Sequence, residues 1–204
     1  MNKILYVVIL SICLLSCRGL RYTRENLGCF TGEKTDITSL ININGYFVTK
    51  FSVTSGSPPK QRYSSAYTMF FENGMFLGNF SPSSMNEPWF YRAFNWGHFT
   101  ISGDTIKTRW TSRPPRVAGT FLAFEVWYVV IDKNTIQPIF SKPLFRTTPQ
   151  EMARFLENHA HRERPVARFV PADNLPNPDN AWLKQQRWFW CNKDDWREFM
   201  ERRR

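Results

Sequence analysis

The chain has 204 residues, 42% of them hydrophobic and 22% charged, with a formal net charge of +10. That length suffices for one domain with a substantial core, and no internal repeat or low-complexity block points to a repeat array. The basic excess favours anionic partners such as phospholipid headgroups, lipopolysaccharide or nucleic acid, and says nothing about the fold.

The chain begins MNKILYVVILSICLLSC. Lys3 precedes an uncharged run from Ile4 to Leu15. As a helix this run reaches only about 18 Å, against the ~30 Å of a bilayer's hydrocarbon core. The pattern therefore predicts an export signal rather than a membrane span. Leu14-Leu15-Ser16-Cys17 resembles the bacterial lipobox, which implies cleavage before Cys17 and acylation of that cysteine. An ordinary signal with a chance cysteine and a retained helical anchor are the alternatives. Cys13 fits less well because Ile12, before it, is bulky and β-branched.

The expected organisation is a lipoprotein signal peptide over residues 1–16 and a tether over 17–28 that carries Arg18, Arg21 and Arg24. A single domain over 29–204 follows, with β-structure at about 45–145 and a helical tail at about 147–204. An exported chain meets acidic envelope surfaces in preference to nucleic acid, and three basic residues beside an anchor add up to roughly 1 kcal/mol each at such a surface. Further basic clusters are Arg162, Arg164 and Arg168, and the terminal Arg202-Arg203-Arg204. With Cys17 taken by lipid, Cys29 and Cys191 remain as a candidate disulfide in an oxidising compartment, two separately buried thiols being the alternative.

GYFVTKFSV (45–53) is rich in aromatic and β-branched residues and ends at the breaker cluster SGSPP. AYTMFFENGMFLGNF places Asn73-Gly74 between two apolar runs, a hairpin signal in which both turn residues are expected at positive φ. WGHFTISGDTIKTRW repeats the design with its bend at Ser102-Gly103-Asp104. In its second arm Ile106, Thr108 and Trp110 face one way, and Thr105, Lys107 and Arg109 the other. TFLAFEVWYVVI (120–131) is apolar at nearly every position, so it is expected to lie centrally with little of either face open to water. Asp132-Lys133-Asn134 turns it into TIQPIF (135–140), where Pro138 points to an edge strand. Several short strands joined by tight turns predict an antiparallel meander closing into a barrel.

Thr148-Pro149-Gln150-Glu151 is a capping box with proline at the first helical position. Met152, Phe155, Leu156 and His159 follow at helical spacing, so this helix is expected to pack on the sheet. The aromatic segment AWLKQQRWFWC, with Trp182, Trp188 and Trp190, is expected to clamp the tail onto the barrel. A short helix through Trp196, Phe199 and Met200 closes the chain. The class is mainly β, an α+β order of strands followed by helix.

The lipobox, GYFV, the YTMFFENGMFL hairpin, WGHFTISGDTIKTRW, the Glu125-x-Trp127-Tyr128 strand and the tryptophan-rich tail together resemble uncharacterised Gram-negative bacterial lipoproteins with a lipocalin-like β-barrel. The resemblance implies a fold and a location, and carries no agreed activity. It departs from lipocalins proper, whose first strand has Gly-x-Trp, because Gly45 is followed here by Tyr46 and Phe47.

Catalytic signatures are absent from the sequence. His98, His159 and His161 show no metal-ligand spacing, and His159 and His161 read as cations at a helix C-terminus. No nucleophile elbow or phosphate-binding glycine loop is found. Glu125 within an apolar strand is a candidate for a raised pKa if it points inward beside a second carboxylate, and a structural residue if it points out or pairs with an arginine. Trp89, Tyr91 and Trp96 are candidates to line the open end of a barrel and stack on a sugar or acyl chain. The expected function is a membrane-anchored envelope lipoprotein with a structural or ligand-binding role and no cofactor. The alternatives are an enzyme acting on envelope glycan or lipid, and a basic module for a polyanion. The expected partners are the membrane through the N-terminal lipid, and an acidic envelope component or a small apolar or sugar ligand.

Overall fold

Eight segments pair as antiparallel strands in the computed structural model, which describes residues 25–55, 60–87, 89–93, 95–112, 123–144, 148–160 and 164–203. They are β1 (Gly45–Ser55), β2 (Lys60–Phe70), β3 (Met75–Gly78), β4 (Asn95–Ser102), β5 (Thr105–Thr111), β6 (Ala123–Asp132), β7 (Thr135–Pro143) and β8 (Ala167–Pro171). Each pairs with the next, and β8 returns to pair antiparallel with β1, giving a closed meander barrel. Closure removes the strand edges that an open meander would expose. Helices α1 (Ile37–Leu40), α2 (Phe90–Ala93), α3 (Pro149–Ala160) and α4 (Lys193–Glu201) decorate it.

The β8 strand departs from the sequence pattern, which from Thr147 onward reads as helix and irregular tail. Its five residues alternate correctly, with Ala167 and Phe169 packing in the barrel and Arg168 between them, but the segment is short and follows a helix. Pro138 sits where this late strand matters. The β7–β8 ladder consists of Thr135↔Arg168 and Ile136↔Ala167, so Pro138 lies beyond its end, without asking the ring for a missing N–H. A register shift between Trp127 and Tyr128 bends the other side of β7 at the same level.

Two apolar cores result from strand alternation. Inside the barrel, Phe70 is central, with edge-on ring contacts to Phe47 (6.1 Å), Phe76 (5.4 Å), Phe99 (5.5 Å) and Tyr128 (6.0 Å). The opposite faces of β2, β3 and β4 are also dry, because Met69, Met75, Leu77 and Trp96 are covered by an outer layer. That layer is the N-terminal segment, the β3–β4 connection and the tryptophan-rich tail. Phe189 stacks on Phe30 at 5.1 Å, and Trp190 donates its indole N–H to the Lys184 carbonyl at 2.8 Å. Lys184 is buried within this layer, its Nζ 4.6 Å from the Phe199 ring and bonded to Asp179.

Cys29 and Cys191 are joined (S–S 2.04 Å), which ties the start of the outer layer to its end. Backbone bonds flank the link, from Phe30 N to Phe189 O (2.7 Å) and from Cys191 N to Phe30 O (3.0 Å). The fold also takes in residues that the sequence assigns to the tether. Leu27 is fully buried, and its carbonyl accepts a 2.8 Å bond from His98 Nε2. Cys17, Arg18, Arg21, Arg24, His161 and Arg162 lie outside the described residues, as do the tip of the β1–β2 hairpin and the side chain of His159.

The hairpin turns differ in detail from the sequence reading. At 71–74 only Gly74 has positive φ (+81°), and Asn73 does not. Gly74 N bonds to Phe71 O and Phe71 N to Met75 O, both 3.0 Å, so the loop is one residue longer than a two-residue turn and closes on a left-handed glycine. At 103–104 Gly103 alone has positive φ (+61°), the placement a type II′ turn requires. The β6 strand is less dry than its composition suggests, for Ile131 is 54% exposed.

Candidate functional site: the barrel cavity

The two ends of the barrel follow from the strand connections. The turns at 71–74, 103–104 and 133–134 and the start of β1 gather at one end. Ile37 and Ile41, on and just after α1, pack with the inner core from that side and seal it. The longer connections, β3–β4, β5–β6 and β7–β8, leave from the other end. There β1 and β2 run on as a two-stranded arm to Ser55↔Lys60, past the last β2–β3 pair, Thr68↔Gly78.

A cavity of ≈ 450 Å³ opens at this second end. Its walls are mostly apolar, with Phe76, Trp110, Phe124, Val126 and Pro138 contributed by β3, β5, β6 and β7. Phe155 of α3 closes part of the side, its ring 6.4 Å from that of Phe124. Ala66 and Gly78 are the small positions that leave the space empty, since larger residues there would project into it. The polar groups are Thr49, Thr68, Asn79, Ser141 and the Tyr128 hydroxyl. Burial pushes the Tyr128 hydroxyl up to about 12, opposed by its hydrogen bond with Thr68, so it stays a neutral O–H at any physiological pH. No charged side chain is among the described residues lining the cavity. Its size suits a small molecule, and its chemistry suits one whose bulk is apolar with one or two hydrogen-bonding groups.

The residues singled out by sequence sit elsewhere. Trp96 is fully buried in the outer core, stacked between Phe71 (5.9 Å) and Tyr91 (6.3 Å). The Tyr91 hydroxyl accepts from Asn177 N at 3.2 Å, linking the β3–β4 connection to the tail. Trp89 is 49% exposed on that same connection. None of these three lines the cavity, because β4 presents Trp96 on the face opposite Phe99, which packs inside.

Glu125 also faces outward, on the strand face opposite Phe124 and Val126, yet it is only 2% exposed. Arg109 Nε donates to it at 2.7 Å and Trp127 Nε1 at 2.8 Å, and Lys142 Nζ is 3.4 Å away. Burial works to raise its pKa, but the bonds from Arg109 and Trp127 and the charges of Arg109 and Lys142 prevail and hold the carboxyl below its ordinary value. This is the chemistry of a structural carboxylate, and it does not meet the cavity. Beside it, burial and the Arg109 charge depress the His98 imidazole, against the opposing bond to Leu27. Among the described residues no group of three or more His, Cys, Asp or Glu side chains is placed to hold a metal ion.

The sequence did carry a signal for the true lining. The alternation of Ile106, Thr108 and Trp110 marks the inner face of β5, and registering Trp110↔Phe124 and Thr108↔Val126 extends it to β6. The contribution of α3 could not be read without knowing where β8 returns. Comparison with protein-family models, with curated proteins and with solved structures finds no match to this chain.

Proposed function

We propose that this chain is an envelope lipoprotein, acylated at Cys17, whose barrel binds a small molecule of largely apolar body. The observation that carries the binding role is the ≈ 450 Å³ cavity, open at one end, walled by aromatic side chains and edged by neutral hydroxyl and amide groups. The lipobox-like Leu14-Leu15-Ser16-Cys17 supports the anchored location. Outward-facing Glu125 leaves the inward carboxylate pair of the enzymatic alternative without one of its members.

Mass spectrometry of the full-length protein extracted from membranes tests both halves. The expected result is an acylated N-terminal Cys17, lost in Cys17→Ala, and a co-purifying small molecule released on unfolding. An unmodified N-terminus in the wild-type protein overturns the anchor. A bound molecule retained by Ala66→Phe, which fills the cavity, overturns the binding site.

A further inference from the structure

Charge is divided along the barrel axis. At the sealed end the exposed acidic residues Glu33, Asp36, Glu72, Asp104, Asp132 and Asp173 outnumber Lys34, Lys107, Lys133 and Arg168. Lys34 and Glu72 pair at 3.4 Å and cancel each other, which leaves that acidic excess unchanged. At the open end Lys50, Arg92, Arg109, Lys142 and Arg154 face Glu87, Glu125, Glu151 and Glu157, and the arm positions of Lys60 and Arg62 lie on the same side. A molecule so divided turns its basic end toward a negatively charged plane, and such orientation needs no single strong site.

The exposed aliphatic side chains Ile131 and Val170 lie at the sealed end, whereas the two large aromatic side chains exposed among the described residues lie at the open one. Phe51 is 36% exposed on the inner side of the β1–β2 arm, and Trp89 stands on the β3–β4 connection. Aromatic side chains with one wet edge suit the headgroup layer of a bilayer. The reach of the chain agrees with such contact. Glu25 lies eight positions after Cys17, so an anchor at Cys17 is at most about 28 Å from the first described residue.

We infer that the open end of the barrel docks on an anionic lipid surface, with the sealed, acidic end turned away, so that the cavity opens onto the bilayer. This inference rests on the anchored reading proposed above and adds its orientation. The attraction of basic residues to such a surface falls off within a Debye length, so the orientation depends on both lipid charge and salt.

The test places a fluorophore on Ser65→Cys, on the arm, or on Ile131→Cys, at the sealed end, in the full-length acylated protein. Each is reconstituted in vesicles of phosphatidylethanolamine and phosphatidylglycerol carrying brominated acyl chains. The expected result is several-fold stronger quenching at Ser65 than at Ile131. The difference should shrink when phosphatidylcholine replaces phosphatidylglycerol, when salt is raised, and in Lys50→Glu/Arg154→Glu, but not in Lys133→Glu. Equal quenching at the two positions, or stronger quenching at Ile131, overturns the orientation, and a chain found unacylated at Cys17 overturns it together with the anchor. Ligand occupancy is read separately on the same samples by mass spectrometry. An empty cavity with the arm strongly quenched leaves the orientation standing and removes the binding role instead.

Discussion

The two ends of the barrel are made by the same strands and differ in what joins them. At the sealed end the turns are short, with glycine at positive φ in two of them, and Asp132 Oδ1 accepts from Asn134 N at 2.6 Å in a third. Such turns bring strand ends together over a small area, and Ile37 and Ile41 suffice to fill it. At the open end the connections are long, the β7–β8 ladder stops early and α3 stands at the gap. Side chains there line a space instead of filling it. Stability is therefore concentrated at one end and the room for a ligand at the other, an arrangement usual where binding regions are drawn from the less stable parts of a fold.

A matched pair of truncations separates the two ends by the largest margin. Phe47 is buried among Phe70 and Phe169 toward the sealed end, and Phe47→Ala should cost about 3–5 kcal/mol in urea unfolding. Phe51→Ala, four residues along the same strand face but part-exposed at the open end, should cost less than about 1 kcal/mol. Equal costs would show that the ends do not differ in packing.

Removing the Cys29–Cys191 link by the double serine variant should cost about 2–5 kcal/mol, because the link closes a loop of 162 residues' separation. The segment it holds leads directly into α1, so hydrogen exchange should quicken first around Ile37 and Ile41 and little on the β1–β2 arm. Faster exchange confined to the arm would contradict the assignment of the plug.

A smaller effect is expected from acid. The folded-state pKa of His98 lies below its ordinary value of 6.5, so on lowering the pH the unfolded chain takes up the proton first. The stability contributed by neutral His98 is then fully present above pH 6.5 and declines as the pH falls toward and through the lowered folded value. Glu125, with a depressed pKa, keeps its contribution until the pH falls below 4.5, so the window between about pH 7 and 5 isolates the histidine. Thermal unfolding across that window should fall in the wild type and flatten in His98→Asn. An unchanged slope in the variant would refute the assignment.

The smallest stability effect is expected at the cavity itself. Ala66→Phe enters open space, so it should shift stability by less than about 1 kcal/mol while blocking the ligand.

Much of the barrel was legible in advance because its signals are local. Alternation in β5, the glycine turns and the Thr148–Glu151 capping box each depend on residues a few positions apart. What stayed hidden depends on distant partners. The β8 strand is recognisable only once β1 and β7 offer it edges, and Leu27 is buried only because the tail covers β4 beside it. The candidate site suffered for a related reason. Trp96 and Glu125 are conspicuous by chemistry, but the outer layer keeps the outer face of β4 dry and Arg109, Trp127 and Lys142 bury Glu125 on β6, so neither residue declares which strand face it occupies, while Trp89 and Tyr91 stand on a connection. Inconspicuous Ala66 and Gly78, which leave the room, mark the cavity better than the large residues do.

Whether the open end holds a binding cavity is read by titrating the wild-type protein and Ala66→Phe with the neutral apolar fluorophore N-phenyl-1-naphthylamine. The expected result is a saturable rise in fluorescence with one site per wild-type chain, lost in Ala66→Phe although its unfolding midpoint is kept. Equal saturable binding by both proteins would contradict it.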